Sequence, residues 1–241
     1  LSLAYIAALT PEDKYKIEII DENIETLDYP DADIVGITSY TTHVRMAYEI
    51  AEVYRKKSVP VVMGGIHVST MPDEALKYCD TVVIGEAESV WKKVLNDFEN
   101  KCLQSEYLAE PLPLENMKFP RRQYMKNDFY LWGSVLTSRG CPMDCSFCSV
   151  TKFNGRKFRR RKVDDVIKEL SEIKNKFVII VDDNVLGHEN AEDNDSSIGK
   201  IWLMQFFKSI IKNEIKKYFY IQASLKLGED IGLLKLAYKA G

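Results

Sequence analysis

Apolar and polar positions along the first hundred residues follow two rhythms. Short apolar runs at Asp33–Thr38 (DIVGIT), Val59–Met63 (VPVVM) and Thr81–Ile84 (TVVI) each stop at a polar or glycine-bearing loop. That is the pattern of strands buried on both faces. Lys16–Asp21 (KIEIID) reads as a further short strand. Between these runs the period lengthens. Ala47, Ile50, Ala51 and Tyr54 share one face of a helix over Val44–Lys57, and Pro72–Tyr78 reads as a shorter helix. Val90, Trp91, Val94, Leu95 and Phe98 do the same over Glu88–Glu99. Strands alternating with helices predict a parallel, doubly wound sheet. Ligands of such sheets sit beyond the carboxyl ends of the strands, here Ser39–His43, Gly64–His67 and Gly85-Glu86. Leu1–Leu9 reads as a helix with no strand before it, so a first strand is expected upstream.

The rhythm breaks over 105–133, where Pro111, Pro113 and Pro120 sit among polar and aromatic residues. This stretch reads as a linker. It resumes with a strand at Ser134–Ser138, a helix at Val163–Lys174 and a strand at Phe177–Val181 that ends in Asp182-Asp183-Asn184. A polar loop over 187–199 leads to a helix at Lys200–Lys216, a strand at Tyr218–Gln222 and a helix at Asp230–Lys239. Three such units do not close a barrel of about eight strands. The expected organisation is a first domain over 1–104, a linker over 105–133 and part of a (β/α) barrel over 134–241, with the chain truncated at both ends.

Composition narrows the class. At 46% hydrophobic and 29% charged residues, the chain is globular rather than disordered, collagenous or coiled-coil. No apolar run reaches the roughly eighteen residues of a membrane span, and no secretion signal is visible, so a cytoplasmic protein is expected. Charge divides the halves: residues 1–133 carry 14 Lys and Arg against 22 Asp and Glu, and residues 134–241 carry 19 against 14. Opposite signs suggest different ligands.

Cysteine carries the sharpest signal. Three of the five cysteines, Cys141, Cys145 and Cys148, fall within eight residues as C-x3-C-x2-C, whereas Cys79 and Cys102 stand apart. An odd count without a secretion signal argues against a disulfide framework. Three close thiolates can face one inorganic centre. An iron–sulfur cubane takes four cysteine ligands as a rule, so three leave one iron open. Zinc sites close with four ligands, and no second C-x2-C pair or H-x3-H exists here. A zinc site or plain buried thiols remain the alternatives.

The cysteine loop after a strand, with Phe147 directly before Cys148, resembles the radical S-adenosylmethionine superfamily. Thr137-Ser-Arg-Gly-Cys-Pro, then Gly155-Arg156 with Arg159 and Arg161, Val181-Asp-Asp-Asn184 and Gln222-Ala-Ser224 look like its cobalamin-dependent subgroup. Gly64-Gly65-Ile-His67 followed by Met71-Pro72-Asp-Glu-Ala-Leu76 is similar to the cobalamin-binding domain of that subgroup, of which the hopanoid methylases are the nearest in pattern. The resemblance implies a Rossmann-like cobalamin domain followed by a partial radical S-adenosylmethionine barrel. It implies a 4Fe–4S cluster on Cys141, Cys145 and Cys148. It implies S-adenosylmethionine contacts from Phe147, Asp182, Asp183, Gln222 and Ser224. It also implies cobalamin contacts from Ser39, Thr41, Thr42, Gly64, Gly65, His67, Gly85 and Glu86. The implied reaction is methylation of an unactivated carbon in a small-molecule or lipid substrate, with electrons from a flavodoxin- or ferredoxin-type donor. A relative of the same architecture that cyclises or rearranges its substrate without methyl transfer is the enzyme alternative.

The D-x-H-x-x-G pattern that supplies a cobalt-ligating histidine is absent, and His43, His67 and His188 lack its context. A basic run of Lys152, Arg156, Lys157, Arg159, Arg160, Arg161 and Lys162, interleaved with Phe153 and Phe158, keeps a non-enzymatic RNA-contacting module open. Solvation, or contact with a cofactor carboxylate, is the plainer reading, so nucleic acid is not expected as a partner.

Overall fold

The computed structural model describes residues 1–143, 145–187 and 196–241, with backbone alone at 127 and 196–198. His188 and most of the polar loop expected over 187–199 lie outside the described residues. The chain forms two compact units, one of 1–112 and 118–125, the other of 113–117 and 126–241.

The first unit opens with helix α1 (Ser2–Leu9) and continues through β1 (Val35–Thr38), α2 (Val44–Lys56), β2 (Val61–Gly64), α3 (Ile66–Thr70), α4 (Pro72–Ala75), β3 (Thr81–Ile84), α5 (Trp91–Glu99) and β4 (Glu106–Leu108). The strands pair in the order β1-β2-β3-β4, all parallel. Period-two geometry sends neighbours to opposite faces. Val61, Met63 and Val82 therefore pack on α2 and the segment around α3 and α4. Val62, Val83 and Tyr107 pack with Trp91, Val94 and Leu95 of α5, with Ile6 and Leu9 of α1 against them. Helices thus cover both faces, the doubly wound α/β arrangement. Met63 is fully buried, and truncating such a side chain to Ala costs about 2–5 kcal/mol. The Trp91 indole N–H, inside this second layer, donates to Thr10 Oγ1 at 2.8 Å and ties α5 to the end of α1.

Three expectations change here. Lys16–Ile19 alternates in burial, but Lys16–Asp21 joins no ladder among the described residues, because a strand needs a partner as well as a pattern. Residues 105–133 are not wholly a linker, since Glu106–Leu108 adds β4 to the sheet edge. The short helix α3 directly after Gly65 is extra; five residues are too few for a periodic signal.

The second unit contains β5 (Trp132–Val135), β6 (Ser138–Arg139), α6 (Val150–Asn154), β7 (Arg159–Arg160), α7 (Val163–Glu172), β8 (Phe177–Ile180), α8 (Ser196–Lys212), β9 (Tyr218–Tyr220), α9 (Lys226–Glu229) and α10 (Ile231–Ala240). Strands β5, β8 and β9 form a parallel sheet, and β6 pairs antiparallel with β7. Val135, Val178 and Ile180 share a core with Val166, Ile167 and Leu170 of α7 and Leu203, Phe206, Phe207 and Ile210 of α8. On alternate positions Trp132, Phe177 and Tyr218 stand in register, their rings 5.2 and 5.5 Å apart.

Candidate functional site

In the second unit, the two-stranded β6–β7 ladder pinches off the loop that carries the cysteines. Arg139 pairs with Arg159 and Ser138 with Arg160. Gly140 sits just inside the pinch at φ +89°, and a Cβ there would lie 2.2 Å from the Lys157 carbonyl oxygen. Only glycine fits, both for its left-handed backbone and for the close approach. The Cys141 N–H donates to Gly155 O at 3.2 Å, and the Cys148 N–H donates to Cys145 O at 3.0 Å. All three cysteines are partly exposed and unpaired by disulfides. Burial pushes the Cys141 thiol up. The Met143 N–H opposes this, while Asp183, Cys148 and Cys145 reinforce it as negative neighbours. A cationic centre reverses that balance, since a coordinated thiol is deprotonated outright. The donor set fits an iron–sulfur cluster in type and number. Among the described residues, no three His, Cys, Asp or Glu side chains are already gathered around one metal position. Phe147 is 92% exposed and packs in no core.

The strand end after β8 divides its two carboxylates. Asp182 is buried and accepts the Thr137 N–H (2.7 Å), the Ser138 hydroxyl (2.6 Å) and the Thr137 hydroxyl. It therefore clamps the segment that leads into the cysteine loop. Burial raises its carboxyl above the ordinary range against the pull of these donors. Asp183 is turned the other way, as adjacent strand positions are. It accepts from Asn154 Nδ2 at 2.9 Å at the far end of the loop, and its charge is felt at Cys141. Desolvation raises it too, with the Asn154 bond opposing.

The third strand contributes less than expected. The Gln222 side chain is exposed, and its carbonyl accepts the Val185 N–H at 2.9 Å. Ser224 N–H donates to Asn184 Oδ1 at 3.3 Å, and the Ser224 hydroxyl is buried without a hydrogen-bond partner. Asn184 also accepts the Leu186 N–H and donates to Gly187 O. This buried amide joins the loops after β8 and β9, and the sequence reading gave it no role of its own. Asn154 was missed as well. The basic run is divided, its arginines 159–161 turned inward and its other members left exposed. Arg161 is buried and bonds Glu169 Oε2 at 2.5 Å and Leu136 O at 2.9 Å. Arg159 is buried against Asn154 O. Arg160 reaches Gly199 O and Leu186 O while lying over Phe158 and Trp202. Lys152, Arg156, Lys157 and Lys162 stay exposed.

In the first unit the carboxyl edge of the sheet gathers Ser39, Thr41 and Thr42 after β1, Gly64 and Gly65 after β2, and Gly85 and Glu86 after β3. Gly65 has φ +98°, and a Cβ there would sit 2.6 Å from Thr38 Oγ1 and 3.4 Å from Ser39 O. The Gly85 N–H donates to Ser69 Oγ at 2.9 Å, and Glu86 is buried. Ser39 Oγ is shut off from solvent and has no hydrogen-bond partner, an orphaned acceptor and donor at the edge where a ligand would lie. This cradle of glycines and an orphaned hydroxyl allows close approach of a ligand with a polar group for Ser39. His67 departs from the expected direct contact. It is buried on α3, with Nδ1 3.1 Å from Thr41 Oγ1, Nε2 3.2 Å from Tyr48 OH and 3.5 Å from Glu74 Oε1. Both ring nitrogens are engaged by the protein, so His67 braces the loop from below.

Residues 1–95 match the B12-binding domain family. Over most of its length the chain is homologous to proteins named as methyltransferases, and its fold is that of solved cobalamin-dependent radical S-adenosylmethionine enzymes. It is 33% identical over 187 residues to the bacteriochlorophyllide d C-8(2)-methyltransferase of Chlorobaculum tepidum, covering 73% of this chain and 41% of that protein. It is 28% identical over 200 residues to the hopanoid C-2 methylase of Rhodopseudomonas palustris, covering 78% and 38%. The chain therefore spans about two fifths of the length of these relatives. Among solved structures, the radical S-adenosylmethionine methyltransferase TsrM from Kitasatospora setae, with tryptophan and a cofactor analogue bound, superposes with a TM-score of 0.76 at 17% identity. The match covers 100% of this chain and 54% of TsrM, and shows the shared fold.

Proposed function

We propose that this chain is the cofactor-binding portion of a cobalamin-dependent radical S-adenosylmethionine methyltransferase acting on an unactivated carbon of a small molecule or lipid. The observation that carries the reading is a C-x3-C-x2-C loop pinched off beside a parallel sheet, in a chain whose first 95 residues match the B12-binding family. TsrM has been solved with cobalamin and a 4Fe–4S cluster bound, and we assign the same cofactors here. When bound, the cluster supplies the electron that splits S-adenosylmethionine, and cobalamin carries the methyl group.

The chain's own residues hold and orient these groups. Cys141, Cys145 and Cys148 provide the thiolates. Asp183, partly buried and electrostatically linked to Cys141, accepts the cofactor's ammonium group, a charge-assisted hydrogen bond. Asp182 does not touch ligand; it fixes Thr137 and Ser138 and thereby the start of the loop. Ser224 offers a buried hydroxyl to the ribose or carboxylate, with Gln222 beside it and Phe147 closing over the adenine. In the first unit, Ser39, Thr41, Thr42, Gly64, Gly65, Gly85 and Glu86 would line the corrin, while both His67 ring nitrogens are held by the protein. Among the described residues no helix is long and apolar enough to cross a membrane. We place the protein in the cytoplasm with a flavodoxin- or ferredoxin-type donor.

Anaerobic reconstitution with iron and sulfide tests this, followed by paramagnetic resonance with and without S-adenosylmethionine. A reducible cubane signal that changes on adding S-adenosylmethionine is expected. A colourless protein that binds zinc instead would overturn the assignment.

A further inference from the structure

The first unit contains a directional chain of hydrogen bonds behind Thr41 that the cofactor assignment leaves without a role. Its members are Thr41 on the exposed loop after β1, His67 on α3, Tyr48 on α2 and Glu74 on α4. Their spacings are 3.1 Å from Thr41 Oγ1 to His67 Nδ1, 3.2 Å from His67 Nε2 to Tyr48 OH, and 3.1 Å from Tyr48 OH to Glu74 Oε1. Tyr48 is held in place by its stack on Tyr78, ring centroids 4.1 Å apart and nearly parallel.

Proton counting gives this chain one sense. A carboxylate can only accept, and a hydrogen bond to a charged partner is the stronger one. The single Tyr48 proton therefore goes to Glu74. With that proton committed, the Tyr48 oxygen is left as an acceptor toward His67. Nε2 must then carry the imidazole proton, and the Glu74 carboxylate 3.5 Å away reinforces this. A neutral imidazole protonated at Nε2 has a bare Nδ1, which accepts. In that neutral form the Thr41 hydroxyl donates inward to Nδ1, and only its lone pairs face outward.

We propose that Thr41 is a ligand-contacting residue that presents an acceptor-only oxygen to an N–H donor, and that His67 is the positioning residue that fixes this polarity. The proposal rests on the cobalamin reading of this edge. The matching donor is a primary carboxamide of the kind that rims a corrin; a phosphate oxygen or a carboxylate, which can only accept, is disfavoured at this point. Two features favour a ligand over simple bracing. Thr41 is exposed although its proton is drawn inward, and Ser39 Oγ two residues earlier is buried with no partner.

The test uses the chain as it stands, with hydroxocobalamin as the probe and binding read from its visible spectrum. Thr41→Val is expected to weaken binding about tenfold, the worth of one hydrogen bond, while Thr41→Ser stays within about threefold. Two variants of His67 separate polarity from packing. His67→Asn places its side-chain oxygen near the position of Nδ1 and keeps the acceptor; His67→Gln places its polar end near Nε2 and loses it. Asn within about threefold of the parent and Gln about tenfold weaker support the proposal, with thermal melting run on both. Equal loss in the two at equal melting temperature assigns His67 to packing and overturns it, as does unchanged binding in Thr41→Val. Nitrogen-15 spectra of the histidine rings read the tautomer with no ligand present. A proton on Nδ1 of His67 overturns the polarity argument whatever cobalamin does. A proton on Nε2 in a chain that fails to bind cobalamin overturns the cobalamin reading, and with it the assigned ligand.

Discussion

The two units solve the problem of holding a cofactor with different materials. In the first, the cradle is made of backbone: Gly65 lets the main chain turn where a Cβ would strike Thr38, and the Gly85 N–H is anchored on Ser69. Beneath it His67 faces inward and is held by Thr41 and Tyr48. In the second, the backbone merely closes a loop, and the proposed chemistry hangs on side chains: three thiols and Asp183, with Asp182 and Asn184 holding the frame. A backbone cradle suits a large ligand gripped by shape at many weak points. A side-chain set suits an inorganic centre bonded at a few strong ones. The first kind of site should therefore fail through glycine substitutions and degrade gradually; the second should fail completely when one ligand is lost.

That contrast is most sharply tested at the cysteines. Changing Cys141, Cys145 or Cys148 to Ala is expected to abolish cubane iron after anaerobic reconstitution, whereas Cys79→Ala and Cys102→Ala retain it. Cys79 is buried in the first unit, donates to Ala75 O, and burial pushes its thiol up to about 11. Iron loss in Cys79→Ala would break the comparison.

Next come the clamps. Asp182→Ala leaves the Thr137 N–H and the two hydroxyls without their acceptor and should cost about 2–4 kcal/mol in chemical denaturation, at the upper end for a charged acceptor. Asp183→Ala should cost less than about 1 kcal/mol, yet weaken S-adenosylmethionine binding roughly ten- to a hundredfold, the worth of a bond to a charged group. Equal effects of the two on both measurements would erase the division of labour between them. Gly65→Ala, with its left-handed backbone and blocked Cβ, should cost about 1–3 kcal/mol and weaken cobalamin binding with no effect on iron content.

A subtler effect is set by pH. Burial raises the Asp182 carboxyl in the folded chain. Such a group contributes most below its unfolded pKa, and that contribution is lost as pH rises through the folded value. The stability advantage of the parent over Asp182→Asn should therefore shrink as pH rises above about 4, the ordinary carboxylate value; a constant difference would mean that Asp182 does not titrate with folding. Smallest of all, Gln222→Ala should change stability by less than about 0.5 kcal/mol, as is usual for an exposed side chain. A large loss would mean that the amide is structural.

The legible parts of this molecule were those written in local pattern. Thr81–Ile84 is a strand as read, because a run of apolar residues closed by glycine is sufficient when both sheet faces are covered. The cysteine loop stood out for a similar reason: three thiols on one short loop need no long-range information to be placed together. What pattern could not convey was partnership at a distance. Lys16–Asp21 has the sequence pattern of a strand and joins no ladder among the described residues. Arg159 and Arg161 read as part of a solvated basic run, but an arginine becomes internal when Glu169 or a free carbonyl lies opposite, and those meet it only in the fold. Asp182 and Asp183 were interchangeable in sequence. Their roles diverge because a strand turns neighbours to opposite sides, and Thr137 and Ser138 occupy only one of them.

The bond from Trp91 to Thr10 has a practical consequence as well. Of three tryptophans in the chain, Trp91 belongs to the first unit and Trp132 and Trp202 to the second. A buried indole whose N–H is already bound emits differently from a half-exposed one such as Trp132. A variant retaining Trp91 alone, with Phe at 132 and 202, turns the first unit into its own fluorophore. Emission from that chain during denaturant titration, set beside circular dichroism of the whole, would show whether the cobalamin-binding fold melts in step with its neighbour or by itself.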